Sequence, residues 1–173
     1  MMILVGYASA HGSTRGVAQR IATTLEKGGN QVETQPVDRV RGVSRYDAVV
    51  LGSAIHNQQW LPQVTRFVRH NRDVLVGLPV WLFSVGMPGA LPHPWRRLAE
   101  EEEQKVFTGL RNVISPRDHH LFSGVVVANQ LSFMGRIIFR ALGGRYGDFR
   151  DWRAIDAWAE EIARELVVAD GAR

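Results

Sequence analysis

The sequence predicts an α/β sandwich built around a parallel sheet. Two observations carry this: strand-like apolar runs alternate with helix-period segments along the whole chain, and several of the runs are continuously apolar. Alternation of β and α places crossover helices on both faces of a sheet, and strands covered on both faces lose the polar half of their pattern.

Five strands are expected, at 2–8, 31–37, 46–53, 78–85 and 121–128. The third (YDAVVLGS) and fourth (LPVWLFSV) are the clearest buried runs, with Pro79 confined to the start of the fourth. Between them the spacing predicts helices over 15–28, about 61–75, about 95–112, and 151–168. In the last, Trp152, Ile155, Trp158, Ala159, Ile162 and Leu166 recur at helical period and mark one apolar face. Gly28, Gly29 and Asn30 stop the first helix. The four glutamates at 100–103 read as a solvated helix face.

With 173 residues, 45% of them hydrophobic, the chain is expected to form one domain with a sizeable core. The absence of cysteine excludes disulfides, thiolate nucleophiles and cysteine-ligated metal or iron–sulfur sites. The N-terminus runs directly into a strand without a signal-peptide pattern, and no apolar run approaches the ~20 residues that span a bilayer. A cytoplasmic location is therefore expected. The formal charge is +4, and only Lys27 and Lys105 among the 21 basic residues are lysines. So arginine-rich a composition reads first as a reflection of genome base composition, which names no partner. Its sign still favours anionic ones.

The most informative stretch lies at the start. A strand ends in Ala8, Ser9, Ala10, His11, Gly12, Ser13 and Thr14, and a helix carrying Val17, Ala18, Ile21, Ala22 and Leu25 follows at once. Strand, hydroxyl-rich turn and helix start together make an anion site, because the first N–H groups of the helix and its dipole face the ligand. A cap needs one hydroxyl, whereas this turn offers three, from Ser9, Ser13 and Thr14. No G-x-G-x-x-G, P-loop or Cys-x5-Arg pattern occurs, and the turn carries no lysine, which favours a terminal monophosphate. In parallel sheets, ligands sit beyond the carboxyl ends of the strands. The loops after strands one, three and four should therefore converge on one crevice. The second and third offer small residues, amides and an aromatic suited to a flat heterocycle.

Residues Ser9 to Thr14 resemble the flavodoxin phosphate loop, [ST]-x-T-G-x-T, with His11 in place of its threonine. The resemblance extends through VLGSAIHNQQW, PVWLFSVG and DWRAIDAWAEEIAREL, which look like the flavodoxin-like protoporphyrinogen dehydrogenases of bacteria. It implies a three-layer, flavodoxin-like sandwich with five parallel strands in the order 2-1-3-4-5. It also implies FMN as cofactor, peripheral attachment to the inner face of the membrane, and electron transfer from a porphyrinogen to a quinone. By the same resemblance Ser9, His11, Gly12, Ser13 and Thr14 hold the phosphate. Ser53, Ala54, Ile55 and His56 face one side of the ring, and Ser84, Val85 and Gly86 its other edge. His11 either donates to the phosphate or faces solvent. A deazaflavin satisfies the same loops. Nucleic acid is not an expected partner.

Beside this stand readings from the residues alone. His56 and Trp60 are expected near the ring, with Trp60 alternatively anchoring the second helix. His93 and Trp95, in the Pro- and Gly-rich stretch 86–95, are candidate substrate contacts. The long connection 129–150 interleaves apolar residues with Arg136 and Arg140 and predicts a short basic amphipathic helix. There Phe133, Arg136 and Arg140 either meet an anionic membrane or substrate, or belong to an ordinary packed helix. No carboxylate pair or nucleophile–base couple is evident. An acidic electron carrier fits this basic chain poorly, so an enzyme is expected. An NAD(P)H-dependent quinone reductase and a flavodoxin-type electron-transfer protein are the alternatives.

Overall fold

The computed structural model describes residues 1–56, 59–93, 95, 97 and 109–171. Most of the helix expected at 95–112 lies outside them, together with the glutamates at 100–103 and Asn57 and Gln58 of the loop after strand three.

Strand β1 (Met2–Ala8) leads into α1 (Ser13–Lys27), followed by β2 (Gln31–Pro36) and β3 (Ala48–His56). A two-residue strand, β4 (Gln59–Trp60), folds back antiparallel on the end of β3. Helices α2 (Pro62–His70) and α3 (Arg72–Leu75) precede β5 (Val80–Gly86). Then come β6 (Asp118–Ser123), β7 (Val125–Val126), α4 (Phe133–Ala141), β8 (Gly147–Asp148) and α5 (Trp152–Gly171). The long strands pair in parallel in the order β2-β1-β3-β5-β6. In chain order this is the expected 2-1-3-4-5.

Alternation along each strand divides the core between two faces. Ile3, Val5, Val50, Trp81 and Phe83 pack against Val17, Ile21 and Leu25 of α1 and Ile155 and Trp158 of α5. Leu4, Val49, Leu51 and Leu82 pack against Val64, Phe67 and Val68 of α2. That division is why β1, β3 and β5 read as unbroken apolar runs. Helices α1 and α5 are also tied at their surface, where Asp156 accepts from Nε and Nη2 of Arg20, both at 2.6 Å, and from Thr24 Oγ1 at 3.0 Å. The Arg20 hydrogen bonds, and with them Thr24, hold the Asp156 carboxyl below its ordinary range against the opposing effect of burial. A depressed carboxylate stabilises the fold above its unfolded pKa, and that stabilisation fades as pH falls through the folded value. Asp156→Asn is therefore expected to lower the melting temperature at pH 7. The difference should close as the pH drops below about 4, which thermal melts across that range would check.

Two element boundaries depart from expectation. The helix foreseen over 61–75 breaks at Asn71, whose backbone (φ −105°, ψ 17°) leaves the helical region while its side-chain amide donates to the Phe67 carbonyl. The fifth strand starts at Asp118 and stops at Ser123 rather than spanning 121–128. It begins early because Asp118, His119 and His120 already pair in parallel with Trp81, Leu82 and Phe83 of β5, and Asp118 Oδ2 also accepts from Trp158 Nε1 at 2.6 Å. It ends at Gly124, where a side chain would meet Val85 Cγ1 at 2.9 Å, and Val125 and Val126 turn away to pair with β8. His119 and His120 thus lie within the strand and face opposite sides. The ring of His119 meets Ser84, and that of His120 packs at a tilt against Phe122 with centroids 4.5 Å apart.

Candidate functional site

Beyond the carboxyl ends of β1, β3 and β5 lies an open-sided cleft of about 220 Å³. Its first wall is the β1–α1 turn. Gly12 takes a left-handed conformation there (φ 92°), which favours glycine, and its N–H donates to Ser9 Oγ at 2.9 Å. Helix α1 begins immediately afterwards with no side-chain cap and no acidic residue in its first turn. The leading N–H groups of a helix have no intrahelical partner, so this end is a receptor for negative charge. Thr14 sharpens the point: its Oγ1 is buried, with 1% of the residue exposed, and has no hydrogen-bond partner among the described residues. Such an orphan costs about 1–3 kcal/mol. A phosphate oxygen accepting from this hydroxyl would offset that cost, so the turn fits the monophosphate of a flavin nucleotide.

The second wall is Ala54, Ile55 and His56 at the end of β3, and the third is Val85, Gly86 and Met87 at the end of β5. A fourth wall comes from Gly124, Val125, Gln130 and Leu131. It is bound to the first, because Val125 N donates to Ser13 Oγ at 2.9 Å.

Of the residues singled out in the sequence, Ser9, His11, Ser13, Thr14, Ala54, Ile55, His56, Val85 and Gly86 line the cleft, and Gly12 shapes the turn. Ser53, Ser84 and Trp60 do not line it. Ser53 Oγ is fully buried, accepting from Leu61 N and donating to the Ala54 carbonyl, both at 2.9 Å. Trp60 is buried in the core on the α2 side, where Nε1 donates to Ser84 Oγ at 2.8 Å. Both serines alternate away from the cleft and brace its walls from behind. His93 and Trp95 are exposed and stand outside the lining. Phe133, Arg136 and Arg140 lie on α4, which follows the fourth wall directly. Sequence reasoning missed Gly124, Val125, Gln130 and Leu131 as lining residues. The signal available was the length of the connection after the fifth strand. Among the described residues, no cluster of three or more His, Asp or Glu side chains gathers to hold a metal.

A family model described as Flavodoxin domain matches residues 4–149. The chain belongs to the flavodoxin-domain family. Comparison with curated protein sequences finds no match. Among solved structures, a flavodoxin from the domain Archaea is 14% identical and superposes with a TM-score of 0.58, covering 96% of this chain and 99% of that one. The flavodoxin of Fusobacterium nucleatum, solved bound to flavin mononucleotide, is 13% identical with a TM-score of 0.58, over 95% of this chain and 98% of that one. The rubredoxin oxygen:oxidoreductase of Desulfovibrio gigas is 16% identical with a TM-score of 0.62, but 96% of this chain corresponds to only 36% of that larger one. At these identities the likeness is one of fold.

Proposed function

We propose that this flavodoxin-family chain binds FMN in the cleft and works as an oxidoreductase that takes electrons from a porphyrinogen and passes them to a quinone. The observation that carries cofactor binding is the buried Thr14 hydroxyl, without a partner among the described residues, at an acid-free helix start. FMN, when bound, supplies the acceptor and donor of hydride or single electrons. The protein's part is to bind and orient. Backbone N–H groups of the first turn and the Thr14 hydroxyl take the phosphate, while Ile55, His56, Val85 and Met87 bound the space for the ring and keep water from its faces.

The finer reading, a lipid-borne acceptor reached from a membrane surface, is supported by α4. Its Phe133, Met134, Ile137 and Ile138 are 72%, 61%, 49% and 55% exposed. Only Phe139 turns inward, so the helix directs its apolar stripe away from the body, with Arg136 and Arg140 beside it. No acidic residue occurs between Asp118 and Asp148. A basic helix with an outward apolar face suits an anionic bilayer surface. No helix among the described residues is long and apolar enough to cross a membrane.

Two measurements test this. Apoprotein titrated with FMN, FAD and riboflavin should bind FMN tightly and riboflavin weakly, and loaded protein should oxidise a porphyrinogen with menaquinone present. Failure of the second alone would return the chain to an electron carrier, the reading that the family match favours. Rapid flavin bleaching by NADPH would instead indicate a quinone reductase. If FMN fails to bind, a deazaflavin is the next ligand. For the membrane contact, Phe133→Ser/Ile137→Ser is expected to cut co-sedimentation with phosphatidylglycerol vesicles at least fivefold while leaving FMN affinity unchanged. Equal sedimentation would exclude α4 as the contact.

A further inference from the structure

Arg150 lies between β8 and α5, and three contacts define its place. Its Nε and Nη2 donate to the Asp148 carboxylate at 2.9 and 2.5 Å. Its guanidinium carbon stands 4.4 Å from the centroid of the Trp152 ring. Its remaining nitrogen, Nη1, points at the first turn of α1, where a Cβ added at Gly16 would stand 2.6 Å from it. Glycine at 16 therefore leaves the notch that admits this cation, and the arginine side chain is 20% exposed.

The placement runs against the helix dipole, whose positive end repels cations. The first turn already carries Arg15 and no acid. Asp148 offsets part of the repulsion, and an anion at the helix start would offset the rest. We infer that Arg150 is a positioning residue for the cofactor phosphate: from the Gly16 notch it sets the charge behind the phosphate cradle, and its pairing with Asp148 tunes the preference for a phosphorylated flavin. Arg150 does not line the cleft and acts through the field it places at α1. The inference rests on the FMN reading above.

A purely structural strap and a charge-setting pair predict different signs. If the pair only fastens β8 to α1, breaking it from either side loosens the turn and weakens all flavins alike. If it sets charge, Arg150→Gln removes positive potential while Asp148→Asn adds it, and a ligand without phosphate feels neither. Titration of each variant with FMN and riboflavin, followed by flavin fluorescence, separates the two. Arg150→Gln is expected to weaken FMN about fivefold and Asp148→Asn to tighten it two- to threefold, with riboflavin moving by less than twofold in both. These shifts should shrink as salt is raised. Arg150→Lys, which keeps the charge and loses the fork, should retain most of the FMN preference. Gly16→Ala should weaken FMN in the same direction as Arg150→Gln but by less, because the new methyl shifts the guanidinium while its charge remains. Loss of FMN binding in both Arg150→Gln and Asp148→Asn, or a parallel loss of riboflavin, would overturn the inference. Should the unmodified protein bind FMN no better than riboflavin, the phosphate reading itself fails and takes this inference with it.

Discussion

Replacing Thr14 with valine is expected to stabilise the ligand-free protein while removing most of its affinity for FMN. The two side chains are nearly isosteric, and the position is buried against the β1–α1 turn. In the free protein the valine relieves a hydroxyl without a partner, for a gain of about 1 kcal/mol. In a chain of this size that raises the melting point by roughly 2–4 °C. With FMN the same change deletes a hydrogen bond to a charged oxygen, of the class worth about 1.5–3 kcal/mol, so the dissociation constant should rise roughly 10- to 100-fold. Thr14→Ser, which keeps the hydroxyl, should bind FMN within a few-fold of the unmodified protein. Melting curves and flavin titrations on the two variants check both halves. A valine variant that binds FMN normally would remove Thr14 from the phosphate site.

The largest stability effect is expected at Gly52. A Cβ there would lie 1.9 Å from Phe83 Cζ, because the ring of Phe83 lies directly across the glycine in the neighbouring strand. The ring has no room to retreat: Phe83 is fully buried, with Phe122 and Trp158 at centroid distances of 6.3 and 6.2 Å. Close-packed interiors absorb an added methyl only by displacing backbone or side chains. Overpacking typically costs about 1–3 kcal/mol, and this contact belongs at or above the upper end. Gly52→Ala should therefore lower the melting temperature by roughly 10 °C. The double variant Gly52→Ala/Phe83→Leu should recover more than half of the loss, since residues in contact do not act additively. Urea unfolding of the three variants measures the coupling. An alanine variant within about 0.5 kcal/mol of the parent, the range of an innocuous surface substitution, would mean that the strands part readily at this point.

How much of this was legible beforehand follows from which interactions are local. The apolar runs of β1, β3 and β5 and the periodicity of α1 and α5 reflect burial against covered faces, so composition and spacing alone reveal them. The β1–α1 turn was readable because helix initiation after a strand is itself a local event. The resemblance implies Ser53 and Ser84 at the ring, and Trp60 is open to either the ring or the second helix; at strand ends one residue of register decides which face a side chain takes. Their true partners, Leu61 N, Trp60 Nε1 and Ser84 Oγ, arise from β4 folding back on β3, a pairing no composition signal announces. The fourth wall was out of reach for a related reason. Its position depends on contacts between Val125 and Ser13, separated by 112 residues, and on a two-residue ladder with β8.

That ladder has a consequence for how the molecule can change. The chain leaves the main sheet at Gly124 and returns at Phe149, where the N–H of Phe149 donates to the Gly124 carbonyl at 3.1 Å. Departure and return are thus neighbours, and the residues between them gather around Phe139, Val126 and Ala90 in a small cluster apart from the two main ones. A loop whose ends already touch can lengthen or shorten at a cost that grows only with the logarithm of its length. The stretch 132–142 that bears α4 is therefore a cassette: its length and chemistry can be exchanged while the five-stranded frame and the Val125–Ser13 tie at the β1–α1 turn stay as they are.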